Sequence, residues 1–508
     1  MEILSAEQIR AWDQFTIENE PIASIDLMER AAESCFTWLE QQGYLDCSFS
    51  IYCGKGNNGG DGLALARMLS MQHCPVSVHI LEFGAMGTDD FQANLARLHT
   101  TSVEVRFIQG QENLLPVPEG DILIDALLGT GLNRRLEGVT EQVVQHMNRS
   151  GNKIISIDIP SGLFVDRSSK GNTVIRATHT LSFQCYKLAF LVPENEGVLG
   201  QVHILDIGLH KDYLKSRTSG QELVDGEMIQ AIFRPRKQFA HKGNFGHALI
   251  IAGSYGKMGA ALLASRACLR TGAGLLTCHI PGCGYDILQT ALPEAMILTD
   301  ADEKINTEFP GDLSGYAVIG IGPGLGTDGR TMSLLDTILN SYKKPVVLDA
   351  DGLNMVASNP SLFFSLPPYS ILTPHPREFE RMFGKSEDDF ARLRLAIEKA
   401  RDHECVIVLK GHYTFIAMPG GKGYFNSTGN PGMAKGGSGD ALTGILTALL
   451  SQGYSSNEAA LLGVYLHGLA GDLAAVDISQ ESMLPSDLID HLGKAFLQLA
   501  GSDDISIL

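Results

Sequence analysis

Residues 48–69 read SFSIYCGKGNNGGDGLALARML. An apolar run stops at a glycine-rich turn and restarts as an apolar helical stretch, which is the strand–turn–helix pattern of an open α/β sheet. Gly54, Gly56 and Gly59 satisfy G-x-G-x-x-G, and Glu82 ends the next strand-like run. Such a turn brings backbone N–H groups and a helix N-terminus up to a phosphate. Alone it fits a NAD-dependent dehydrogenase or a plain tight turn equally well. Two asparagines, Asn57 and Asn58, followed by Gly59, Gly60 and Asp61 exceed what a turn needs. Their amides in a loop rich in backbone N–H groups suit a polar ligand or a monovalent cation.

Outward from this turn the same grammar repeats. Ser5-Ala6-Glu7-Gln8 is a capping-box pattern, and Leu27, Met28, Ala31, Ala32, Cys35 and Leu39 recur at helical spacing, so two helices precede the first strand. SFSIYC, VSVHIL, DILIDALL, KIISIDI, ATHTLSF and QVHILDIG then read as buried strands alternating with helical stretches. Between about Leu209 and Met228 the pattern lapses into polar sequence. HALIIAGS, GLLTCHI, YAVIGIG, PVVLDADG, YSILTPH and CVIVLKG follow as a second series, and a meander through YTFIAMPGGKGYFN leads to a glycine run and a long helix. The expected fold class is α/β with two doubly wound domains, at 1–212 and 228–508, joined by a linker at 213–227.

Composition narrows the function classes. A net charge of -19, from 58 acidic and 39 basic residues, repels a phosphate backbone at long range, so nucleic acid is not an expected partner. Nine cysteines without a C-x-x-C pair, and a start that lacks a signal-peptide pattern, give a cytoplasmic expectation. No unbroken apolar run approaches bilayer length, so no membrane is expected. The 55 glycines exceed the usual share of about 7% and are expected where backbone approaches a ligand.

In open α/β sheets ligands collect beyond the carboxyl ends of the strands. Asp125 ends DILID and is followed by a loop with Arg134 and Arg135; Asp158 ends IISID before Ile-Pro-Ser-Gly; Lys187 follows LSFQC. Singly each reads as a cap or a surface residue, but together, at successive strand ends, they read as a site. GKGNNGGDG, DALLGTGL, IDIPSG and LMERAA resemble the NAD(P)H-hydrate epimerase (YjeF N-terminal) family across nearly all of residues 1–212. The resemblance implies a Rossmann-like domain whose nucleotide contacts are Asn57, Asn58, Gly59, Gly60, Asp61, Gly129, Thr130, Gly131, Leu132, Asn133, Arg134, Arg135 and Asp158. It also implies potassium on Asn58, Asp125 and Ser161, and Asp158 as the proton-transferring group. LAFLVPENEG after Lys187 is less typical of the family, so no role is carried over for that lysine.

Residues 428–444 read TGNPGMAKGGSGDALTG and run into an apolar helix, which aligns backbone N–H groups with a phosphoryl group in transfer. Asp440 in the first turn is a cap or, being dipole-stabilised, a base for a substrate hydroxyl. The flanking glycines and Lys435 favour phosphoryl chemistry. GSYGKMGAALLASRACLRTGAGLLT, GIGPGLGT, VVLDADGLN, LTPHPREFERM, VLKGHYT and GNPGMAKGGSGD, in this order, resemble the ribokinase-like NAD(P)H-hydrate dehydratase (YjeF C-terminal) family over most of residues 235–500. The resemblance implies that Ala260, Gly324, His375 and Asp440 contact the hydrated nucleotide. It assigns the adenine nucleotide to Lys410, Gly411, His412, Tyr413 and Thr414, and to Asn430, Pro431, Gly432, Met433, Ala434, Lys435, Gly436, Gly437, Ser438 and Gly439.

Together the two resemblances imply a bifunctional repair enzyme. Its first domain interconverts (R)- and (S)-NAD(P)H hydrate, and its second dehydrates the S form with ADP, giving AMP and phosphate. K+ is implied in the first site, Mg2+ in the second, and ADP as co-substrate; the expected partners are NADHX, NADPHX and ADP, and the expected assembly a homo-oligomer. A dehydrogenase fused to a small-molecule kinase leaves Asn57, Asn58 and Asp125 without a role. A catalytically empty scaffold is disfavoured because Asp158 and Asp440 are both present.

Overall fold

The computed structural model describes residues 1–215 and 220–501; residues 216–219, within the expected linker, and 502–508, at the end of the expected second domain, lie outside the described residues. The chain divides into two compact units. One is Glu2–Ser219 with Asp388–Phe390, the other Met1 with Gly220–Glu387 and Ala391–Leu508.

The first unit holds β1 (Phe49–Cys53), β2 (Val76–Leu81), β3 (Glu104–Ile108), β4 (Ile122–Ala126), β5 (Ile154–Ile157), β6 (His179–Phe183) and β7 (Gln201–Leu205). They form a 7-stranded sheet in the order β3-β2-β1-β4-β5-β6-β7, with parallel pairing throughout. β1 and β4 are buried along their whole length, as a sheet covered on both faces requires. Two helices precede β1, at Ala6–Asn19 and Ser24–Gln41, and the first carries the expected capping box between Ser5 and Gln8.

The second unit holds β8 (Gln221–Val224), β9 (His247–Ile251), β10 (Leu275–Ile280), β11 (Met296–Thr299), β12 (Val318–Ile321), β13 (Val346–Leu348), β14 (Ile371–Leu372), β15 (Val406–Leu409), β16 (Phe415–Ala417) and β17 (Gly423–Asn426). The 10-stranded sheet runs β11-β10-β9-β12-β13-β14-β15-β16-β17-β8. Only the meander pairs β15–β16 and β16–β17 are antiparallel.

Two expectations change. The stretch read as a linker contains β8, which pairs parallel with β17 at the sheet edge; its polar residues misled because an edge strand needs only one buried face. A span-length helix does exist: Ser456–Ile478 is long and apolar enough to cross a membrane by length and composition. Small residues and Asp472 hid it from a search for unbroken apolar runs. It packs in the second unit's core, where 67% of its most apolar window is buried and Leu462, Leu466 and Ala470 join the cluster around Ile445 and Leu446.

Candidate active sites

In the first unit the carboxyl ends of β1, β4 and β5 border a cavity of about 870 Å³, lined by Asn57, Asn58, Asp61, Asp158 and the loop Gly129–Arg135. Close backbone approach builds its floor. A Cβ at Gly54 would sit 1.9 Å from the Leu127 carbonyl oxygen, and one at Gly59 1.8 Å from the Gly54 carbonyl oxygen. The glycines thus let the helix Asn57–Met71 begin directly on the strand ends. Gly59 and Gly60 serve packing rather than the cavity wall, Gly60 lying against Met28.

Asp158 follows β5 with φ of +69°, an uncommon conformation that Asp tolerates better than most residues. It is held from two sides. The Thr130 N–H donates to Oδ2 at 2.7 Å, and the Lys187 ammonium lies 2.9 Å from Oδ1. Lys187 is fully buried and also donates to the Asp158 carbonyl, at 3.2 Å, and to Ser182 Oγ. The lysine with no secure role in the sequence is therefore the fixed counter-charge of the site's central carboxylate.

Asp125 and Ser161 are brought together, with Ser161 Oγ donating to Oδ1 at 2.6 Å and the Ser161 N–H to Oδ2 at 2.8 Å. Ser156 Oγ adds a further bond at 2.8 Å. Burial pushes the Asp125 carboxyl above its usual range. The Asn58 side chain is buried, and its amide oxygen and nitrogen both lack a hydrogen-bond partner, an expensive state that a ligand relieves. Asp61 lies in the same wall and is pushed well up by burial, then by Asp158 and Asp13. Asp13 is a cavity residue that sequence reasoning missed. It looks like any polar position on an amphipathic helix.

In the second unit a cavity of about 460 Å³ brings Ala260, Gly324, Asp440, Gly436 and Gly437 together, with Lys257 and Asp351 added. The helix Ser438–Ser451 starts there from Gly437, whose φ is +103°, and carries Asp440 in its first turn. Beside it, Lys410 Nζ lies 2.8 Å from Asp349 Oδ1 and 3.9 Å from Glu378 Oε2, while Thr443 Oγ1 donates to Asp349 Oδ2 at 2.9 Å. Burial opposes the Lys410 charge, but Asp349 and Glu378 outweigh it, so the ammonium is held above its ordinary range. Burial, then the Asp349 charge, pushes Asp440 up to about 6 against the pull of Lys410. Asp349, which ends the run VVLD, was readable by the strand-end rule applied to Asp125 and Asp158.

The other residues expected at this site have partners of their own. His375 Nδ1 accepts the Arg377 and Glu378 N–H groups at 3.1 and 3.2 Å, capping the helix Pro376–Phe383. Lys435 Nζ donates to the Glu481 and Met483 carbonyls, both at 2.7 Å, which ties down the glycine loop and leaves the lysine committed there. Asn430 caps its own turn through the Gly432 N–H at 3.0 Å and is held by Asp472 at 2.9 Å. Gly411 and Thr414 close a tight turn, in which the Thr414 hydroxyl donates to the Gly411 carbonyl at 3.0 Å. His412 and Tyr413 lie edge to face at 4.5 Å. Pro431–Met433 form one 3-10 turn, whose Met433 packs on Gly471.

Two crevices at strand carboxyl ends, one built on a buried carboxylate–lysine pair and one on a helix N-terminus with a basic-shifted aspartate, define a two-domain α/β enzyme of nucleotide-type substrates. A family model described as YjeF-related protein N-terminus matches residues 24–189, and one described as NAD(P)H-hydrate dehydratase matches residues 248–494. A Moorella thermoacetica protein named bifunctional NAD(P)H-hydrate repair enzyme is 34% identical over 510 residues, covering 97% of this chain and 96% of its own. Its Escherichia coli K12 namesake is 33% identical over 495 residues, covering 96% and 92%. The chain belongs to the bifunctional NAD(P)H-hydrate repair enzyme family, with an epimerase domain followed by a dehydratase domain. The crystal structure of an ADP/ATP-dependent NAD(P)H-hydrate dehydratase from Bacillus subtilis, co-crystallised with ATP and Mg2+, is 33% identical with a TM-score of 0.48, covering 54% of this chain and 97% of that one.

Proposed function

We propose that the first unit interconverts (R)- and (S)-NAD(P)H hydrate at Asp158 and that the second returns the S form to NAD(P)H, with ADP as phosphoryl donor and AMP and phosphate as products. The observation that carries this reading is Asp440. It is a partly desolvated carboxylate pushed up to about 6, set at the start of a helix whose first backbone N–H groups come from Gly437, Ser438 and Gly439. Asp440 takes the proton of the ring hydroxyl as the oxygen attacks the terminal phosphoryl group. The helix N-terminal amides take up charge developing on that group. Phosphate then leaves with the C–O electron pair while the neighbouring ring carbon gives up a proton to solvent, and the nicotinamide ring regains its double bond. Mg2+, when bound, neutralises the phosphoryl oxygens. Asp351, which lines the same cavity as Asp440, would be the carboxylate placed to hold such a hard cation. In the epimerase site the unpartnered Asn58 amide, with Asp125 and Ser161, offers the oxygen-rich set that suits K+.

The proposal extends to a cytoplasmic homo-oligomer acting on small nucleotides, which the acidic net charge of -19 supports over nucleic acid. The test supplies hydrated NADH with ADP, then with ATP, and follows the return of reduced-nicotinamide absorbance. Recovery with ADP is expected, and Asp440→Asn abolishes it while R-to-S conversion continues. No recovery with either nucleotide overturns the dehydratase reading, and recovery with ATP alone overturns the choice of donor.

A further inference from the structure

The epimerase cavity contains a second carboxylate that the reading above does not use. Asp13 lines it from the helix Ala6–Asn19, one turn after Arg10 and one before Ile17, which line it too. That helix is held in place by the segment around His210 and Tyr213. Trp12 Nε1 donates to the His210 carbonyl at 2.9 Å, the His210 N–H donates to Thr16 Oγ1 at 3.0 Å, and the Tyr213 hydroxyl donates to the Gln8 carbonyl at 3.0 Å. Asp13 therefore points into the cavity from a rigid element, as a group that must meet a reacting atom requires. Its surroundings act through burial and charge: burial first and then the Asp158 charge push the carboxyl up to about 7, with Lys187 opposing. Arg10, Asp61, Arg134, Arg135 and Glu137 are the other charged side chains in the cavity wall.

Inverting a hydrated carbon means removing oxygen from one face and returning it to the other. That calls for two proton-transfer groups in opposite protonation states, and neighbouring carboxylates in unlike environments supply such a pair. Asp158 is in direct contact with the lysine counter-charge; at Asp13, burial and the Asp158 charge outweigh the same lysine.

Resting on the epimerase reading, we propose that Asp13 is the acid of the epimerisation and works as a pair with Asp158. Asp13 gives its proton to the ring hydroxyl, the C–O bond breaks, and water leaves. The ring-nitrogen lone pair forms the C=N bond of a cation beside the Asp158 carboxylate. Water then adds to the same carbon from the opposite face and passes its proton to Asp158. Solvent returns a proton to Asp13 and removes one from Asp158, so the net reaction is inversion alone.

The experiment measures R-to-S conversion by the full chain, with the two hydrates of NADH separated chromatographically, from pH 5.5 to 8.5. Wild-type kcat falls as pH rises through about 7, because the acid form is the active one. Asp13→Asn lowers kcat about 100-fold with little change in KM and removes that limb, and Asp13→Glu restores both. S-hydrate dehydration by the same chain is the control and stays unchanged. An Asp13→Asn protein within about threefold of wild type, or one that is slow but keeps the limb, overturns the inference. Should Asp13→Asn lower the urea midpoint, Asp13→Glu decides: an inactive variant with a native midpoint overturns it. A wild-type chain that does not interconvert the hydrates overturns the epimerase reading itself.

Discussion

Replacing Lys187 by Met tests the electrostatic core of the first site. Lys187 is fully buried and lies 2.9 Å from Asp158 Oδ1. At that distance two unit charges attract by about 6 kcal/mol with an effective dielectric near 20. Desolvation offsets much of that attraction, but removing one partner leaves the other charge buried and unpaired, which costs about 3–5 kcal/mol. Methionine preserves the aliphatic packing, so the loss falls on the ion pair and on the bonds to Ser182 Oγ and the Asp158 carbonyl. In a cycle with Asp158→Asn, the double variant should be more stable than the sum of the singles predicts by about 2 kcal/mol. The chain reports on this itself, because its two tryptophans, Trp12 and Trp38, are both buried in the first unit. Tryptophan emission during urea unfolding therefore follows that unit alone. A coupling below about 0.5 kcal/mol, or a Lys187→Met protein with the wild-type midpoint, refutes the pair as the element that holds Asp158.

The other sites give further measurements. Asp440 must be ionised to accept a proton, so dehydration should rise with pH through about 6 and level off above it; a rate independent of pH between 5 and 7 contradicts its role as base. Gly129→Ala places a Cβ 2.5 Å from Asp158 Oδ2. It should lower epimerisation about 100-fold by displacing the carboxylate while leaving dehydration intact, and a wild-type epimerisation rate would show that the Asp158 position is not critical. Exchanging K+ for a large organic cation should slow epimerisation in the wild type and have no effect in Asn58→Ala, read as initial rates of R-to-S conversion; equal sensitivity of both proteins removes Asn58 from the cation site.

What the sequence disclosed follows burial. Every strand read from an apolar run lies in one of the two sheets. The strands not read, β3, β8 and β11, all sit at sheet edges. One face of an edge strand meets solvent, and β3 shows it: Glu104 and Arg106 pair across its exposed side, which breaks the apolar run that marks an interior strand. Site residues divide by the same logic. Asp125, Asp158 and Asp440 sit where a strand ends or a helix begins, so topology alone marks them. Asp13 is brought to the cavity by the packing of a whole helix and carries no local signal; Lys187 is marked in the sequence only by following a strand, and its role is defined by a partner 29 residues away. Lys435, expected at a phosphate because it stands in a glycine loop, donates to two backbone carbonyls, a partnership that no local pattern announces.

The two sites use one backbone device and opposite allocations of a lysine. In both, glycines let a strand end and a helix N-terminus approach so closely that a Cβ would collide, at Gly59 with the Gly54 carbonyl oxygen and at Gly322 with the Asp349 carbonyl oxygen. Amide groups are thereby concentrated in a chain with few basic side chains to spare. In the first site the buried lysine is spent on the central carboxylate, Asp158. In the second, the lysine contacts Asp349 at 2.8 Å, and burial and then the Asp349 charge outweigh its pull on Asp440, so Asp440 keeps an affinity for protons near neutral pH. A carboxylate in contact with a cation is suited to stabilise positive charge on a ring, and one in which burial and a neighbouring carboxylate outweigh the cation is suited to take a proton from a hydroxyl.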